Sequence, residues 1–234
     1  MTDFDSAIQA FWTGRDLQAQ KQIESGKVDA GTRGAVTGGG HLQPMQDAVA
    51  ELFEDPDLGD ELVIRQKGKI TLPGYYRRSK DWDLVVQYKD ALVAAIEFKS
   101  QVGPSFGNNF NNRTEESLGN AVDIWRATEE GLLGPVRPWL AFVMVIEHAD
   151  KSSQPLTNPR LLYPADPIFT DTSYIDRYRI MLRRQVRERL YDAAAVVATE
   201  KGGGVHSDPE PELSLNNLAA AIAGRMAYIK ALDL

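Results

Sequence analysis

Two apolar, β-branched runs with a short polar break between them constrain this chain more than any other feature. Trp82 to Tyr88 and Leu92 to Phe98 flank Lys89-Asp90-Ala91, and runs joined in this way read as a β-hairpin. Loop length sets the register. A three-residue loop places Tyr88 opposite Leu92 and Asp83 opposite Glu97. Side chains alternate along a strand, so Asp83, Glu97 and Lys99 share one face with Val85 and Ala95. Leu84, Val86, Ala94, Ile96 and Phe98 share the other face and can pack on a core. A two-residue loop would instead put Asp83 and Glu97 on opposite faces. Asp81 lies on the same face as Asp83 and is the second candidate for the first acid.

Two carboxylates and an ammonium at one spot can hold a divalent metal and a water. Hard cations such as Mg²⁺ take oxygen ligands, keep several waters, and need only one or two protein carboxylates beside phosphate. The metal lowers the pKa of its water and neutralises phosphate charge. This is equipment for phosphodiester hydrolysis. A hairpin with charges exposed at its ends is the competing reading, because short motifs match by chance. Context favours a site, since Glu97 and Lys99 end an otherwise apolar strand and point the same way.

The spacing resembles the PD-(D/E)xK nuclease superfamily and, more narrowly, the XhoI-type restriction endonucleases, a group of type II enzymes. The resemblance runs from about Phe11 to the C-terminus. It is most specific at Gly31-Thr32-Arg33-Gly34 with Gly38-Gly39-Gly40-His41, and at Leu72-Pro73-Gly74-Tyr75-Tyr76-Arg77-Arg78-Ser79-Lys80-Asp81-Trp82-Asp83. It continues through Glu97-Phe98-Lys99-Ser100-Gln101 and on to Gly107-Asn108-Asn109-Phe110-Asn111-Asn112-Arg113. The superfamily's proline before the first acid is absent, because Trp82 precedes Asp83.

The resemblance implies an α/β fold with a PD-(D/E)xK core, a mixed central sheet flanked by helices. It implies Mg²⁺-dependent cleavage of double-stranded DNA at a short palindrome, CTCGAG by family expectation, leaving 5′-phosphate and 3′-hydroxyl ends. Asp83 and Glu97 would ligate the metal and Lys99 would position the nucleophile. The superfamily's glutamate on the helix before the first strand carries over to Glu51. A twofold target implies a homodimer, and a cognate methyltransferase is the functional partner. A repair or junction-resolving nuclease and a catalytically dead DNA-binding protein are the alternative readings.

The chain has 234 residues, enough for one large domain. The expected parts are 1–41 (N-terminal helix and Gly-rich loop), 42–148 (catalytic core) and 149–234 (helical). There is no cysteine, which excludes a disulfide framework and a Cys-ligated zinc. No leader-like N-terminus and no long apolar run are present, so a soluble cytoplasmic protein with no membrane partner is expected. The net charge of −7 argues mildly against nucleic acid, but the distribution answers it. From Arg65 to Lys80 the chain has six basic residues, Arg77, Arg78 and Lys80 among them, and no acid. A solvated strand edge is the alternative reading of that stretch.

Along the chain, helices are expected at Asp3–Ser25 and from Pro44 to Phe53, where Met45, Val49, Leu52 and Phe53 form a buried stripe. Leu62–Leu72 reads as the first core strand. Asn108, Asn109, Asn112 and Arg113 read as a loop ahead of a helix capped by Thr114. Their side-chain types suit purine edges, and the resemblance inclines this segment toward DNA contact. Leu140–Ile146 reads as a central strand. Tyr174–Ala198 reads as one long helix whose arginines either bind phosphate or pair with acids. Gly202–Pro211 reads as a linker, and Leu213–Leu232 as a last helix. His41, His148 and His206 are too scattered for a zinc or catalytic site.

Overall fold

The structure, a computed structural model, describes residues 2–24, 39–66, 70–104, 106–157 and 160–232. Lys27 and Arg33 of the Gly-rich segment, and Lys67 and Lys69 of the basic stretch, lie outside the described residues. The hairpin forms from β4 (Leu84–Tyr88) and β5 (Ala91–Gln101). Its loop is the pair Lys89-Asp90, with Lys89 at φ 50° and Tyr88 opposite Ala91. This differs from the expected three-residue loop. The consequence for the site is nevertheless the expected one, because a β-bulge intervenes. Gln87 pairs Leu92 but Val86 pairs Ala94, so Val93 is the extra residue. Val85 then faces Ala95 and Leu84 faces Ile96. The ladder ends there, with Asp83 the next residue on one strand and Glu97 the next on the other.

The main sheet has six strands in the order β1-β4-β5-β6-β7-β8. Here β1 is Leu62–Arg65, β6 Trp139–Glu147, β7 Ala193–Thr199 and β8 His206–Ser207. β5, β6 and β7 run parallel, and the outer pairings are antiparallel. The sheet is therefore mixed. Helices cover both faces. α1 (Phe4–Glu24), α2 (Gln43–Glu51) and α5 (Leu215–Ala231) pack on one face through Phe11, Trp12, Met45, Leu218 and Ile222. α3 (Gly107–Glu129) and α4 (Tyr174–Arg187) pack on the other through Ile124, Tyr178 and Leu182. Alternation along β5 holds: Ala94, Ile96 and Phe98 belong to the first layer, and Ala95 to the second. No helix among the described residues is long and apolar enough to cross a membrane.

Four segments differ from the sequence expectation. Leu62–Leu72 is not one strand. β1 ends at Arg65, since Gln66 to Lys69 offers no apolar side chain to bury, and Thr71–Pro73 (β2) leaves the sheet to pair with Ser79–Asp81 (β3). The Asn-rich segment is not a loop. It forms the first turns of α3, held by Phe106 stacked on Tyr174 and Phe110 edge-on to Tyr178. Thr114 lies inside that helix, bonded to the Phe110 carbonyl. The long helix stops at Arg187, and Arg189 takes φ 60°. Ala193–Thr199 becomes strand β7, buried throughout between β6 and β8. Alanine favours helix, but a run without a polar face suits a sheet centre covered on both sides. Lastly, the expected linker contains β8, which pairs with β7.

The β2–β3 hairpin is seated on α3 by one carboxylate. Asp123 accepts the Tyr75 N–H (2.9 Å), the Tyr76 N–H (2.8 Å) and the Arg77 Nε–H (2.7 Å). Arg77 also donates to Asn120 Oδ1. Burial alone would raise the Asp123 carboxyl, but the Tyr76, Arg77 and Tyr75 donors hold it below its ordinary 3.8. Gly74 is required here, because a Cβ would fall 2.7 Å from both the Arg77 carbonyl and Asp123 Oδ2.

Asp123→Ala should therefore cost about 2 kcal/mol at neutral pH, the scale of lost charge-assisted hydrogen bonds, read by chemical denaturation. A carboxyl with a lowered folded pKa stabilises above its unfolded value and loses that contribution as pH falls through the folded one. The gap between wild type and variant should thus close below pH 3.8. A gap independent of pH would contradict this seating.

Candidate active site

β5 outruns its antiparallel neighbour. β4 ends at Leu84 opposite Ile96, while β6 stays paired along β5 as far as Gln101. Beyond Ile96 one edge of β5 has no strand to bond among the described residues. Asp83 takes that place: its Oδ2 accepts the Phe98 N–H at 2.8 Å. An obligatory backbone donor is satisfied, and the carboxylate is held beside Glu97.

Glu97 is 4% exposed, and each of its oxygens has an ammonium partner. Lys99 Nζ donates to Oε1, and Lys80 Nζ donates to Oε2 at 2.6 Å. Burial pushes the Asp83 carboxyl above its ordinary 3.8, and the nearby Glu97 charge pushes it further, against Lys99, the Phe98 N–H and Lys80. Tyr191, buried behind the pair, has its phenol raised by burial and by Glu97.

Asp83 and Lys99 open onto a cleft between the C-terminal half of β5, α2 and the start of α3. Among the described residues three cationic side chains line it: Lys99, Arg15 from α1, and Arg113 from α3. The amides of Gln46 and Asn109 line it too, as do His41 and Ser100. His41 is buried, with Nε2 at 2.9 Å from Ser100 Oγ and 3.3 Å from Arg15. The Nε of Arg113 is buried without a hydrogen-bond partner among the described residues. Such a cleft suits a polyanion.

The donor set fits a hard cation. Asp83 and Glu97 supply carboxylate oxygens, and no group of three or more His, Cys, Asp or Glu side chains among the described residues could hold a metal. Mg²⁺ completes its shell with water and substrate phosphate, whereas zinc prefers a closed nitrogen and sulfur set.

The structure brings Asp83, Glu97, Lys99, Asn109 and Arg113 together, with Lys80 against Glu97. Asn109 and Arg113 are one helical turn apart and share the cleft face of α3. Asn112 is exposed beside that face, and Asn108 is exposed near Pro155 and Tyr174. Glu51 is not brought to the site. It is exposed at the C-terminal end of α2, about 140° around the helix from Gln46, and Gln46 is the α2 side chain that reaches the cleft. Arg77 is committed to Asp123, and Arg78 is exposed. Asp81 sits on β3 and accepts from the Thr71 hydroxyl. Four of the five α4 arginines pair with acids: Arg179 and Arg183 with Glu210, Arg183 and Arg187 with Glu212, and Arg184 with Asp166. Sequence reasoning missed Arg15 and Gln46. The one signal for Gln46 was a polar residue beside the apolar stripe of Met45 and Val49.

Comparison with known proteins decides the family. The restriction endonuclease XhoI family matches residues 21–208. The chain belongs to the XhoI restriction endonuclease family. It is 40% identical over 200 residues to the type II restriction enzyme BstVI of Geobacillus stearothermophilus, covering 82% of this chain and 88% of that protein. To the type II restriction enzyme XhoI of Xanthomonas vasicola it is 36% identical over 181 residues, 76% of this chain and 72% of that protein. To AbrI of Azospirillum brasilense, also a type II restriction enzyme, it is 44% identical over 149 residues, 63% and 67% of the two chains. No solved structure matches. The family is one of site-specific deoxyribonucleases, and DNA is its substrate.

Burial and the Glu97 charge both disfavour the ionised form of Asp83. Its folded pKa is raised, so ionisation costs stability once pH passes 3.8 and the cost is complete above the raised value. Asp83→Asn keeps an oxygen for the Phe98 N–H and removes that charge. At neutral pH its melting temperature should equal or exceed that of wild type. A melting temperature several degrees lower would show that the Phe98 bond needs the charge.

Proposed function

We propose that this chain is an Mg²⁺-dependent type II endonuclease acting at the Asp83–Glu97–Lys99 cluster. The whole chain would serve as one restriction-endonuclease domain. The observation that carries the proposal is the meeting of Asp83 and Glu97 at the unpaired edge of β5, with Lys99 bonded to Glu97. Asp83 and Glu97 would hold the ion. When bound, Mg²⁺ lowers the pKa of a ligated water and offsets charge on the phosphate. Lys99 orients the attacking water or bonds the equatorial phosphate oxygens. Water oxygen bonds to phosphorus as the bond from phosphorus to O3′ breaks in line. The products are a 5′-phosphate and a 3′-hydroxyl that takes up a proton.

Arg15, Arg113 and Asn109 line the same cleft and would meet the strand beside the scissile phosphate. Arg113 pairs with Glu116 through Nη1, and its buried Nε, without a partner among the described residues, leaves room for an oxygen acceptor there. The family's expected target, CTCGAG, is a palindrome, and a twofold site suits a homodimer. A methyltransferase would protect the host's copies of that site. A plasmid digest in Mg²⁺ with sequenced ends tests the reading directly. Discrete bands cut at one palindrome support it, while structure-specific or random cutting favours a repair or junction nuclease.

EDTA should abolish cleavage and Mg²⁺ restore it. Asp83→Ala, Glu97→Ala and Lys99→Ala should each lose at least about 10²-fold in rate, since preorganised electrostatics dominate such chemistry, while still binding duplex in Ca²⁺. Full activity of any one of them would remove that residue from the mechanism.

Asn109→Ala and Arg113→Ala should cost about 1–3 kcal/mol on the cognate duplex relative to a scrambled one if they read bases. Asn112→Ala, off the cleft face, should change the ratio little. Arg78→Ala should weaken all duplexes alike and flatten the salt dependence. Binding in Ca²⁺ at two salt concentrations separates these outcomes.

A further inference from the structure

Lys80 lies on β3, outside the strand that carries Glu97 and Lys99, yet its ammonium is 2.6 Å from Glu97 Oε2. It also donates to the Asp81 carbonyl at 2.8 Å and sits 4.5 Å above the Trp82 ring. Its side chain is only 13% exposed. Lys99 occupies the other oxygen. Each Glu97 oxygen therefore already accepts from one ammonium.

We infer that Lys80 is a positioning residue that competes with the divalent cation for Glu97 Oε2, the inference resting on Glu97 as a metal ligand. A hard cation binds the carboxylate oxygen directly, at about 2.0–2.1 Å for Mg²⁺. An ammonium hydrogen-bonded to that oxygen occupies the same approach, and two positive charges repel there. A cation bound to Oε2 on that side displaces Lys80. The residue has somewhere to go. Its hairpin carries exposed Arg78 two positions away, beside exposed Tyr75 and Tyr76, so duplex bound on that tip offers phosphate oxygens to the released ammonium. The free protein then holds metal weakly, and DNA strengthens the binding. In the free protein the ammonium keeps the buried Glu97 charge compensated, which a lone buried carboxylate needs.

The test is Mn²⁺ binding followed by electron paramagnetic resonance, without DNA, on the full chain. Lys80→Met should bind Mn²⁺ roughly tenfold more tightly than wild type, equivalent to about 1.4 kcal/mol. Lys80→Arg, which keeps the charge, should return to wild-type affinity. A 12–20-base-pair duplex carrying the target should tighten binding by wild type more than by Lys80→Met. Lys80→Gln serves if the methionine variant melts early. Equal or weaker Mn²⁺ binding by a folded, neutral Lys80 variant overturns the competition. Unchanged Mn²⁺ binding by Glu97→Gln is a separate failure, that of Glu97 as a ligand.

Discussion

The buried carboxylate of Glu97 between two ammonium groups is the interaction on which the rest of the site depends. An unpaired carboxylate at that depth would be too costly to keep ionised. Lys99 comes from the same strand two residues on, and Lys80 from a separate hairpin, so each satisfies one oxygen. The pairing joins two pieces of chain that share no main-sheet ladder. It also sets the charge at the position where the chemistry needs it.

Everything around that interaction follows from strands of unequal length. β5 continues past β4, and the exposed ladder edge is closed by a side chain, Asp83, instead of a strand. The same overhang leads to Phe106, whose stacking on Tyr174 starts α3 close to the end of β5. The first turns of α3 therefore deliver Asn109 and Arg113 to the cleft. From the other layer α1 and α2 bring Arg15 and Gln46. A cationic, amide-lined cleft is assembled from four elements around Asp83, in a chain whose net charge is −7.

The Asp123 seat shows how the exposed basic hairpin is given a fixed shape. Three donors converge on one carboxylate, and a glycine makes room for it. Arg77 is thereby part of the support, and Arg78 is left facing solvent. Sign of charge in the sequence could not separate these two neighbours, because the difference lies in a partner 46 residues away.

The sequence by itself determined the hairpin, the alternation of its faces, and the meeting of Asp83 with Glu97, because period-two patterning is local and an apolar strand cannot change faces without exposing itself. It also carried the family in runs such as Gly107 to Arg113. The route to the register was hidden: a two-residue turn and the Val93 bulge give the same pairing as the simple three-residue loop, and both satisfy one pattern. Only the tertiary structure decided that Ala193–Thr199 is a strand, because an alanine-rich run becomes one when β6 offers a parallel partner and helices cover both faces. Only it placed Gln46 rather than Glu51 toward the cleft, a matter of how α2 is rotated against the sheet. And only it brought Lys80 to Glu97, since the fold of the β2–β3 hairpin, and not spacing along the chain, sets that distance.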